Sequence, residues 1–487
     1  MIVSTMAEPL TIGGIAGLLM LGFVVILWPK LDRPLALLGA IASGLYAWPL
    51  LATSEPIAIT LLDRFGVSLV ADSLGGYFIL TNAIVTAAVV LYTWQSPKTT
   101  FFYSQLLILH GSLNAAFLCA DLVSIYIALE VSGIAAFLLI AHPRTDRSLW
   151  VALRYLFTSN VAMLFYLVGT VLVYQNSQSF ALDGLKTAPP EALALILLGL
   201  LVKGGVFVSG LWLPLTHAES ETPVSAMLSG IAIKASILPL LRCALVSDDL
   251  ELIVRIVGAA TALFGVTYAV LEKDTKRMLA FHTVSQLGFI LAAPIAGGFY
   301  ALSHGLVKSA LFLMAGSLPD RRFPVLHDQK IHRWLWVPLA IASLSISGLP
   351  PLAGFAAKAL TSKDFWPWQS VLMNVAAVGT AISFAKFLFL KPAPGPQAAT
   401  FTPNGGFWAA IALLLGGLVV SNGFYLGAYT AESIVKALLT LGAGWLLYWT
   451  IVRRLAVKLS QVAEEFDHLV GAMGLTSIAL FWMALAW

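Results

Sequence analysis

The chain has 487 residues, of which 59% are hydrophobic and 11% are charged, and its mean hydropathy is +0.89. This composition excludes an ordinary soluble globular domain, and the modest net charge of +4 gives no reason to expect a nucleic-acid partner. Runs of about 20 apolar residues, each long enough to cross about 30 Å of hydrocarbon, recur almost without interruption. The sequence therefore predicts an all-α, multi-pass integral membrane protein surrounded by lipid bilayer.

The apolar runs predict 14 to 16 transmembrane helices, of which the last two are the least clearly bounded. In chain order, the sixteen predicted helices are 11–28, 34–51, 73–94, 101–120, 121–141, 149–174, 193–214, 223–245, 251–270, 277–296, 299–317, 334–360, 368–390, 407–428, 430–452 and 471–487. No low-complexity linker divides them.

Lysine and arginine are distributed unevenly among the predicted connections. The odd-numbered connections hold 16 of them, which are Lys30, Arg33, Lys98, Arg144, Arg147, Lys273, Lys276, Arg277, Arg321, Arg322, Lys330, Arg333, Lys391, Arg453, Arg454 and Lys458. The even-numbered connections hold three, which are Arg64, Lys186 and Lys363. Because cytoplasmic loops are enriched in these residues, both termini are predicted to face outward. The expected location is a bacterial inner membrane or a thylakoid membrane.

Two predicted helices contain residues that interrupt a helix. The seventh contains Gly204, Gly205, Gly210 and Pro214, and the twelfth contains Gly348, Pro350, Pro351 and Gly354. Backbone groups freed at such breaks must face protein or water rather than lipid. Paired broken helices indicate two inverted repeats with a transport path at their interface, here helices 4–8 and 9–13. The predicted division is helices 1–3 in residues 1–100, the first repeat in 101–245, the second in 251–391 and C-terminal helices in 392–487.

Ionisable residues lie inside five of the predicted helices. They are Glu130 in the fifth, Lys203 in the seventh, Lys234 in the eighth, His304 and Lys308 in the eleventh, and Lys358 after the break in the twelfth. Charges within a bilayer are costly and usually mark ion pathways. Burial lowers the pKa of a lysine and a nearby carboxylate raises it, so such lysines can exchange protons near neutral pH. The row predicts a proton relay, whereas Glu130 with Lys203 alone would fit a fixed ion pair equally well.

Other polar residues are weaker candidates. His217, Glu219 and His282 are possible accessory groups of the relay, while Arg154, Arg242 and Lys386 lie near helix ends, where we expect side chains to snorkel to the interface. We expect no cofactor and no metal, and the two cysteines are too few for a disulfide framework or iron–sulfur ligation.

Five stretches resemble the antiporter-like subunits, a family that comprises the proton-pumping membrane subunits of complex I, certain membrane-bound hydrogenases and the Mrp-type multisubunit sodium/proton antiporters. The stretches are LEVSG (129–133), WLPLTHAESETPVSAMLSGIAIK (212–234), DTKRMLAFHTVSQLGFI (274–290), HGLVKSALFLMAG (304–316) and SGLPPLAGF (347–355). The resemblance covers residues 70 to 390 in register. It implies that the six residues of the row correspond one by one to the proton path of that family.

The chain departs from the family pattern after the seventh-helix lysine, where a usual proline and histidine are replaced by Val208, Ser209 and Gly210. The usual aspartate after the next proline is Leu215, and a customary serine in the tenth helix is His282. The break in the seventh helix is therefore expected to depend on glycine. Lysine at position 358, with HAE and LLR around Lys234, points to the D-type subunit of an Mrp antiporter.

The resemblance implies a proton-translocating subunit of a multisubunit antiporter, which works with other membrane subunits on protons and Na⁺. The alternative is a proton-pumping subunit of an NADH or ferredoxin:quinone oxidoreductase or of a membrane hydrogenase. The isolated chain would not be an enzyme, but in a quinone oxidoreductase it would be a translocase component. The residues also leave open a haem-binding redox protein, for which His282 and His304 would be the ligand pair, a transporter of organic solutes, and an assembly subunit with an inactive relay.

Overall fold

The computed structural model describes residues 2–53, 55–62, 66–394, 401–455 and 465–486. Of the residues used to predict the orientation, Arg64 and Lys458 lie outside the described residues. Two β-hairpin strands and two short parallel strands accompany the helices, at β1 Ile57–Leu62, β2 Gly66–Ala71, β3 Lys330–His332 and β4 Lys391–Ala393.

The described helices follow one another with short connections. They are α1 Ile2–Leu27, α2 Asp32–Leu50, α3 Ser73–Thr93, α4 Thr100–Leu118, α5 Leu122–Ile140, α6 Asp146–Ser177, α7 Pro190–Lys203, α8 Trp212–Glu219, α9 Thr222–Gly230, α10 Ile237–Ala244, α11 Asp248–Leu271, α12 Thr275–Leu291, α13 Gly297–Ala315, α14 Phe323–Asp328, α15 Arg333–Ser347, α16 Ala353–Asp364, α17 Pro367–Leu388, α18 Gly405–Gly423, α19 Ala431–Thr450 and α20 Phe466–Ala486.

Twelve helical spans within the described residues are long and apolar enough to cross a membrane, with α7/α8 and α9/α10 each counted as one span. The remaining predicted helices correspond to α2, α12, α13 and the pair α15/α16. Each of the sixteen predicted helices therefore has a counterpart, and the prediction of an all-α, multi-pass membrane protein is confirmed. The two predicted five-helix repeats correspond to α4–α10 and α11–α17, and the fourth helix of each is broken.

Aspartates fix the start of three helices at the membrane faces. Asp72, Asp121 and Asp274 each accept a hydrogen bond from a backbone N–H of the first turn, at 2.7, 2.7 and 2.9 Å. Such caps satisfy donors that the helix itself leaves unpaired. Asp72 also binds Arg242 of α10 at 3.0 Å, so Arg242 contacts protein rather than snorkelling to lipid headgroups as predicted.

The break between α7 and α8 depends on glycine. Gly205 has φ +64°, a conformation that L side chains rarely adopt. At Gly210 a Cβ atom would lie 2.1 Å from the carbonyl oxygen of Gly205, so no side chain fits there. The expectation of a glycine-dependent break is confirmed.

The break between α15 and α16 uses the same two devices. Gly348 ends α15 with φ +93°, and at Gly354 a Cβ atom would lie 1.8 Å from the carbonyl oxygen of Ser345. A left-handed glycine after the last helical residue is a common helix terminator. Both predicted breaks therefore occur where the glycines lie.

A third break was not predicted. The predicted eighth helix is divided into α9 and α10 by an irregular segment with one short 3₁₀ turn, Ala232–Ala235. Gly230 is the last residue of α9 and packs directly against α13, since a Cβ atom there would lie 2.1 Å from the hydroxyl of Ser309. Lys234 therefore lies in a helix break rather than within a continuous helix.

The β1/β2 hairpin was also missed by the helix prediction. It lies between α2 and α3 and is fixed to the start of α5, because Ala120 donates from its backbone to the carbonyl of Ser68 at 2.8 Å. The N–H of Ser68 donates to Asp121 at 2.8 Å. Strand β2 of the hairpin thus lies against the start of α5.

Candidate functional site

Glu130 and Lys203 form an ion pair inside the helical bundle. The Lys203 ammonium donates to a Glu130 carboxylate oxygen at 3.2 Å. Glu130 is the ninth residue of α5, which has 19 residues, and Lys203 is the last residue of α7, directly before the break. The side chain of Lys203 is 6% exposed and that of Glu130 is 21% exposed. The structure therefore brings together the two residues that the sequence placed at similar depth.

Two small residues complete the surroundings of the Lys203 ammonium. Ser159 of α6, which the sequence analysis missed, accepts a hydrogen bond from it at 2.8 Å. At Gly133 a Cβ atom would lie 3.1 Å from the same nitrogen. Because Glu130 and Gly133 are three residues apart on α5, they share one face, and this face supplies both the carboxylate and the room for the ammonium. The LEVSG stretch therefore supplies both residues of α5 that surround the Lys203 ammonium.

A small cavity connects Lys203 with His217. It has a volume of about 20 Å³ and is bounded by these two residues and by Tyr155, Trp212 and Ser236 among others. This is room for about one water molecule. The ring nitrogens of His217 have no partner at ordinary hydrogen-bond geometry among the described residues, although the backbone of Leu213 and of Leu228 lies within reach of the ring. Lys203 and His217 thus border the same space for a water molecule.

Lys234 is fully buried in the break between α9 and α10. Its ammonium donates to the carbonyl of Ser229 at 3.2 Å and to the carbonyl of Gly230. These carbonyls belong to the last turn of α9, where a helix leaves its acceptors unpaired and carries partial negative charge. The break thus creates the site that holds the lysine.

His304 and Lys308 lie one turn apart on α13 and are both buried. Lys308 donates to the carbonyl of Leu279 of α12 at 2.5 Å. His304 lies close enough to Lys234 and Lys308 to interact with their charges, and its ring nitrogens have no partner among the described residues. The α13 face therefore continues the row from the eighth predicted helix.

His282 of α12 lies beyond Lys308 in the row. Its ring packs edge-on against Phe384 at 4.5 Å, and its ring nitrogens likewise have no partner among the described residues. One turn further along α12, Gln286 accepts a hydrogen bond from the hydroxyl of Tyr300 at 2.6 Å. Gln286 and Tyr300 were not found by sequence reasoning, because an isolated amide or phenol in an apolar helix gives no specific signal.

Lys358 lies on α16, and its ammonium donates to the carbonyl of Ser347 at 3.1 Å. Ser347 is the last residue of α15, so Lys358 binds the broken end of a helix as Lys234 does. Lys358 also borders a cavity of about 70 Å³ whose other walls include Ser433, Lys436 and Thr440 of α19. Lys436 was not considered from the sequence.

Residues 119–383, more than half of the chain, match the family described as NADH:quinone oxidoreductase/Mrp antiporter, TM. The chain belongs to this family. It is similar to the D-type subunit of the Na(+)/H(+) antiporter of Alkalihalophilus pseudofirmus, with 29% identity over 372 residues that cover 69% of this chain and 75% of that protein. It is also similar to the N-type subunit of the NADH-quinone oxidoreductase of Desulforudis audaxviator, with 30% identity over 387 residues that cover 70% and 77%.

The fold of the chain matches a chain in the structure of the Mrp complex from Dietzia sp. DQ12-45-1b. The TM-score is 0.75 at 21% identity, and the match covers 96% of this chain and 100% of that chain. At this identity the likeness concerns the fold alone. The family resemblance and the fold expected from it are thus confirmed, whereas the role of each residue in the row stays a prediction.

Glu219, which was predicted as an accessory group of the relay, lies away from the row. Glu219 is only two residues from His217, but it forms ion pairs with Arg147 at 3.4 Å and with Arg321 at 3.6 Å. Neighbouring Glu221 binds Lys98 at 2.5 Å. These groups lie in the odd-numbered connections that the charge distribution predicts to be inside, so Glu219 ties these loops together and does not contact Lys203.

Two further cations inside the bundle have structural partners. Lys386 donates to the carbonyls of Ala269 and Glu272 at 3.0 and 2.7 Å, and so binds the C-terminal end of α11. Arg255, which the sequence analysis missed, is 1% exposed and binds Glu251 and Asp364 at 2.7 and 2.9 Å. It fixes the end of α16 to α11. Asp364 is 109 residues away in the chain, so this pairing has no local sequence signal.

Proposed function

We propose that the chain is a proton-translocating, antiporter-like membrane subunit of a multisubunit cation/proton antiporter. The observation that carries the proposal is the 3.2 Å contact between Glu130 and Lys203, followed by buried lysines and histidines on successive helices. Intramembrane ionisable groups that face the bundle interior are the usual constituents of proton paths. The proposed relay consists of Glu130, Lys203, Lys234, His304, Lys308 and Lys358, with His217 and His282 as accessory groups.

The first proposed step is transfer from Lys203 through a water molecule to His217. The cavity of about 20 Å³ between them supports this step, because it has room for one water and is lined by both groups. A neutral imidazole has one donor and one acceptor nitrogen, so His217 can accept a proton on one side and release it on the other. His217 is buried, and it borders the same cavity as Lys203 and as the residues on both sides of Lys234, which supports a position between these two lysines.

Backbone carbonyls are the proposed reason why Lys234, Lys308 and Lys358 can change protonation state. Each of these lysines donates to a carbonyl oxygen rather than to a carboxylate among the described residues. A carbonyl accepts a hydrogen bond from an ammonium and from a neutral amine alike, so loss of the proton leaves no buried acceptor without a donor. Lys203 differs, because its carboxylate partner favours the ammonium form.

The proposed exit is the cavity of about 70 Å³ beside Lys358. It reaches Ser433 and Lys436 of α19, which begins at the face predicted to be outside. In this proposal the second repeat, residues 251–391, ends the path that the first repeat, residues 101–245, begins. The chain would work with other membrane subunits in a bacterial inner membrane or thylakoid membrane, exchange protons for Na⁺, and not be an enzyme by itself.

A second candidate is a proton-pumping subunit of a quinone oxidoreductase. The similarity to the N-type subunit of an NADH-quinone oxidoreductase, at 30% identity, is as high as that to the D-type antiporter subunit, at 29%. The same relay would serve either assembly. In a quinone oxidoreductase the chain would be a translocase component. The difference therefore lies in the partner subunits and in what drives the protons.

The test is to purify the tagged chain with its partners from native membranes and to reconstitute the assembly in liposomes. Na⁺-dependent proton flux, followed with a pH-sensitive dye, is the expected result. Flux that requires quinone reduction instead would assign the second candidate. An assembly that moves no protons with either driving force would overturn the proposal.

A further inference from the structure

An apolar groove opens between α2, α3, α13 and α18, and none of the proposed relay residues borders it. Its volume is about 720 Å³, and its walls include Trp48, Ile84, Leu306 and Val420. Four helices contribute to it from their ends at one membrane face, which the charge distribution predicts to be outside. A cavity of this size with apolar walls is suited to an apolar ligand.

The groove has a polar mouth. A second cavity of about 540 Å³ shares Tyr77, Phe299 and Tyr425 with the groove and is also bordered by Lys363 and Asp364. The hydroxyls of Tyr77 and Tyr425 are hydrogen-bonded to each other. Tyrosines of this kind are enriched at the level of lipid headgroups. The mouth therefore lies at the interface and the groove below it in the hydrocarbon.

The depth of the groove corresponds to one leaflet. On α18 its walls extend from Ala412 to Ser421, which is about 14 Å along the helix and close to half of a hydrocarbon core of about 30 Å. Gly416 and Gly417 leave the space open, and a Cβ atom at Gly416 would meet no atom within 4 Å. A partner transmembrane helix would need a groove across both leaflets, so a one-leaflet groove fits an acyl chain better.

The two charged residues at the mouth, Asp364 and Lys363, differ in whether they have an ion-pair partner. The carboxylate of Asp364 is bound by Arg255 at 2.9 Å. Lys363 is exposed, and it forms no ion pair with any residue in the described part of the chain. Among the described residues, the mouth thus offers the ammonium of Lys363 without an ion-pair partner at headgroup level.

We propose that this groove binds one phospholipid of the leaflet at that face, with an acyl chain against Leu306 and Val420 and the phosphate at Lys363. The lipid site is independent of the proposed relay, because no residue of the groove or its mouth belongs to the relay. Its occupant is defined by chemistry: an apolar tail about one leaflet long and an anionic phosphate at the interface.

The first test fills the groove. Gly416→Leu places a side chain in open space, so the fold is expected to be retained, and Gly442→Leu on α19, where a Cβ atom also meets nothing within 4 Å, is the matched control. The purified full chain, stripped of lipid, is titrated with dioleoylphosphatidylglycerol and analysed by native mass spectrometry. Gly416→Leu should weaken retention of one lipid by about tenfold, while Gly442→Leu stays within about twofold of the wild type. Equal retention by Gly416→Leu and the wild type would overturn the proposal.

The second test examines the headgroup and the occupant in the membrane. Lys363→Gln should weaken binding of dioleoylphosphatidylglycerol but not of dioleoylglycerol, which has no phosphate; equal loss of both, or loss of neither, would contradict the phosphate contact. A photo-crosslinking residue at Val420, exposed in the groove wall, should capture phospholipid in native membranes. Capture of a polypeptide there would overturn the proposal in favour of a partner subunit.

Discussion

Replacing Glu130 by glutamine removes one charge of the central ion pair and keeps the size of the side chain. The two groups are 3.2 Å apart. At an effective dielectric constant of about 20, the attraction between them is about 5 kcal/mol. Because the Glu130 side chain is 21% exposed, solvent screens part of this attraction, and about 3 kcal/mol is a conservative value.

This loss of attraction determines the expected effect on transport. A free energy of about 1.4 kcal/mol corresponds to a factor of ten in an equilibrium constant. The loss of about 3 kcal/mol therefore lowers the equilibrium constant for keeping the proton on Lys203 by a factor of about 100 or more. Ser159 still accepts a hydrogen bond from Lys203, but a hydroxyl carries no net charge to replace the carboxylate. We therefore expect Glu130→Gln to reduce proton flux by about two orders of magnitude.

The assay is proton flux per molecule of assembled protein in liposomes. Glu191→Gln, which removes an exposed carboxylate at the start of α7, is the matched control and should leave the flux unchanged. The variant Glu130→Gln should assemble at normal abundance. Full flux per molecule from this variant, or a loss explained entirely by reduced abundance, would show that the pair is a structural anchor and refute the reasoning.

Three further predictions concern Lys203, the orientation of the chain in the membrane and His142. Lys203→Arg keeps the charge and can bind Glu130 but cannot release its proton at physiological pH, so it should be as inactive as Lys203→Ala in the flux assay, and near-normal flux from the arginine variant would make Lys203 an anchor. A cysteine at exposed Asp328 should react with an impermeant thiol reagent only from the inside and one at exposed Lys186 only from the outside, and the reverse pattern would refute the orientation. Burial lowers the pKa of His142, on the loop after α5, with Lys98 acting in the same direction and Glu221 opposing it. The unfolded chain therefore binds a proton that the folded chain excludes, so the melting temperature should fall as the pH drops below about 6.5, and less steeply in His142→Gln; an unchanged slope would contradict this assignment.

The two main helix breaks could be predicted from the sequence, because the requirement for glycine at each break has a local and specific cause. Gly205 and Gly348 have positive φ, and Gly210 and Gly354 lie too close to backbone for any side chain. Both causes restrict the residue type at single positions, so the pattern is visible in the chain itself. The depth of Glu130 and Lys203 could likewise be counted along each helix, and their contact confirmed that they are neighbours.

Features that depend on distant residues could not be predicted in this way. The break before Lys234 follows Gly230, whose close packing against Ser309 of α13 is a tertiary contact. The surroundings of Arg255 require Asp364, and those of Lys203 require Ser159, and neither partner is near in sequence. The predicted snorkelling of Arg242 failed for the same reason, because Asp72 is 170 residues away.

The helix breaks and the row of lysines are linked by one physical requirement. A buried ammonium needs acceptors, and the carbonyls of a continuous helix are already paired along the helix, so that they can accept only a second hydrogen bond, as Leu279 does from Lys308. Breaking the helix at Gly230 and after Ser347 releases carbonyls, and Lys234 and Lys358 bind them. Because these acceptors are neutral, a proton on one lysine is not held by a fixed counter-charge and is repelled by a proton on the next. Among the described residues, Lys203 is the one lysine of the proposed relay with a carboxylate partner, so in this proposal Glu130 sets where the charge rests and the breaks allow it to move on.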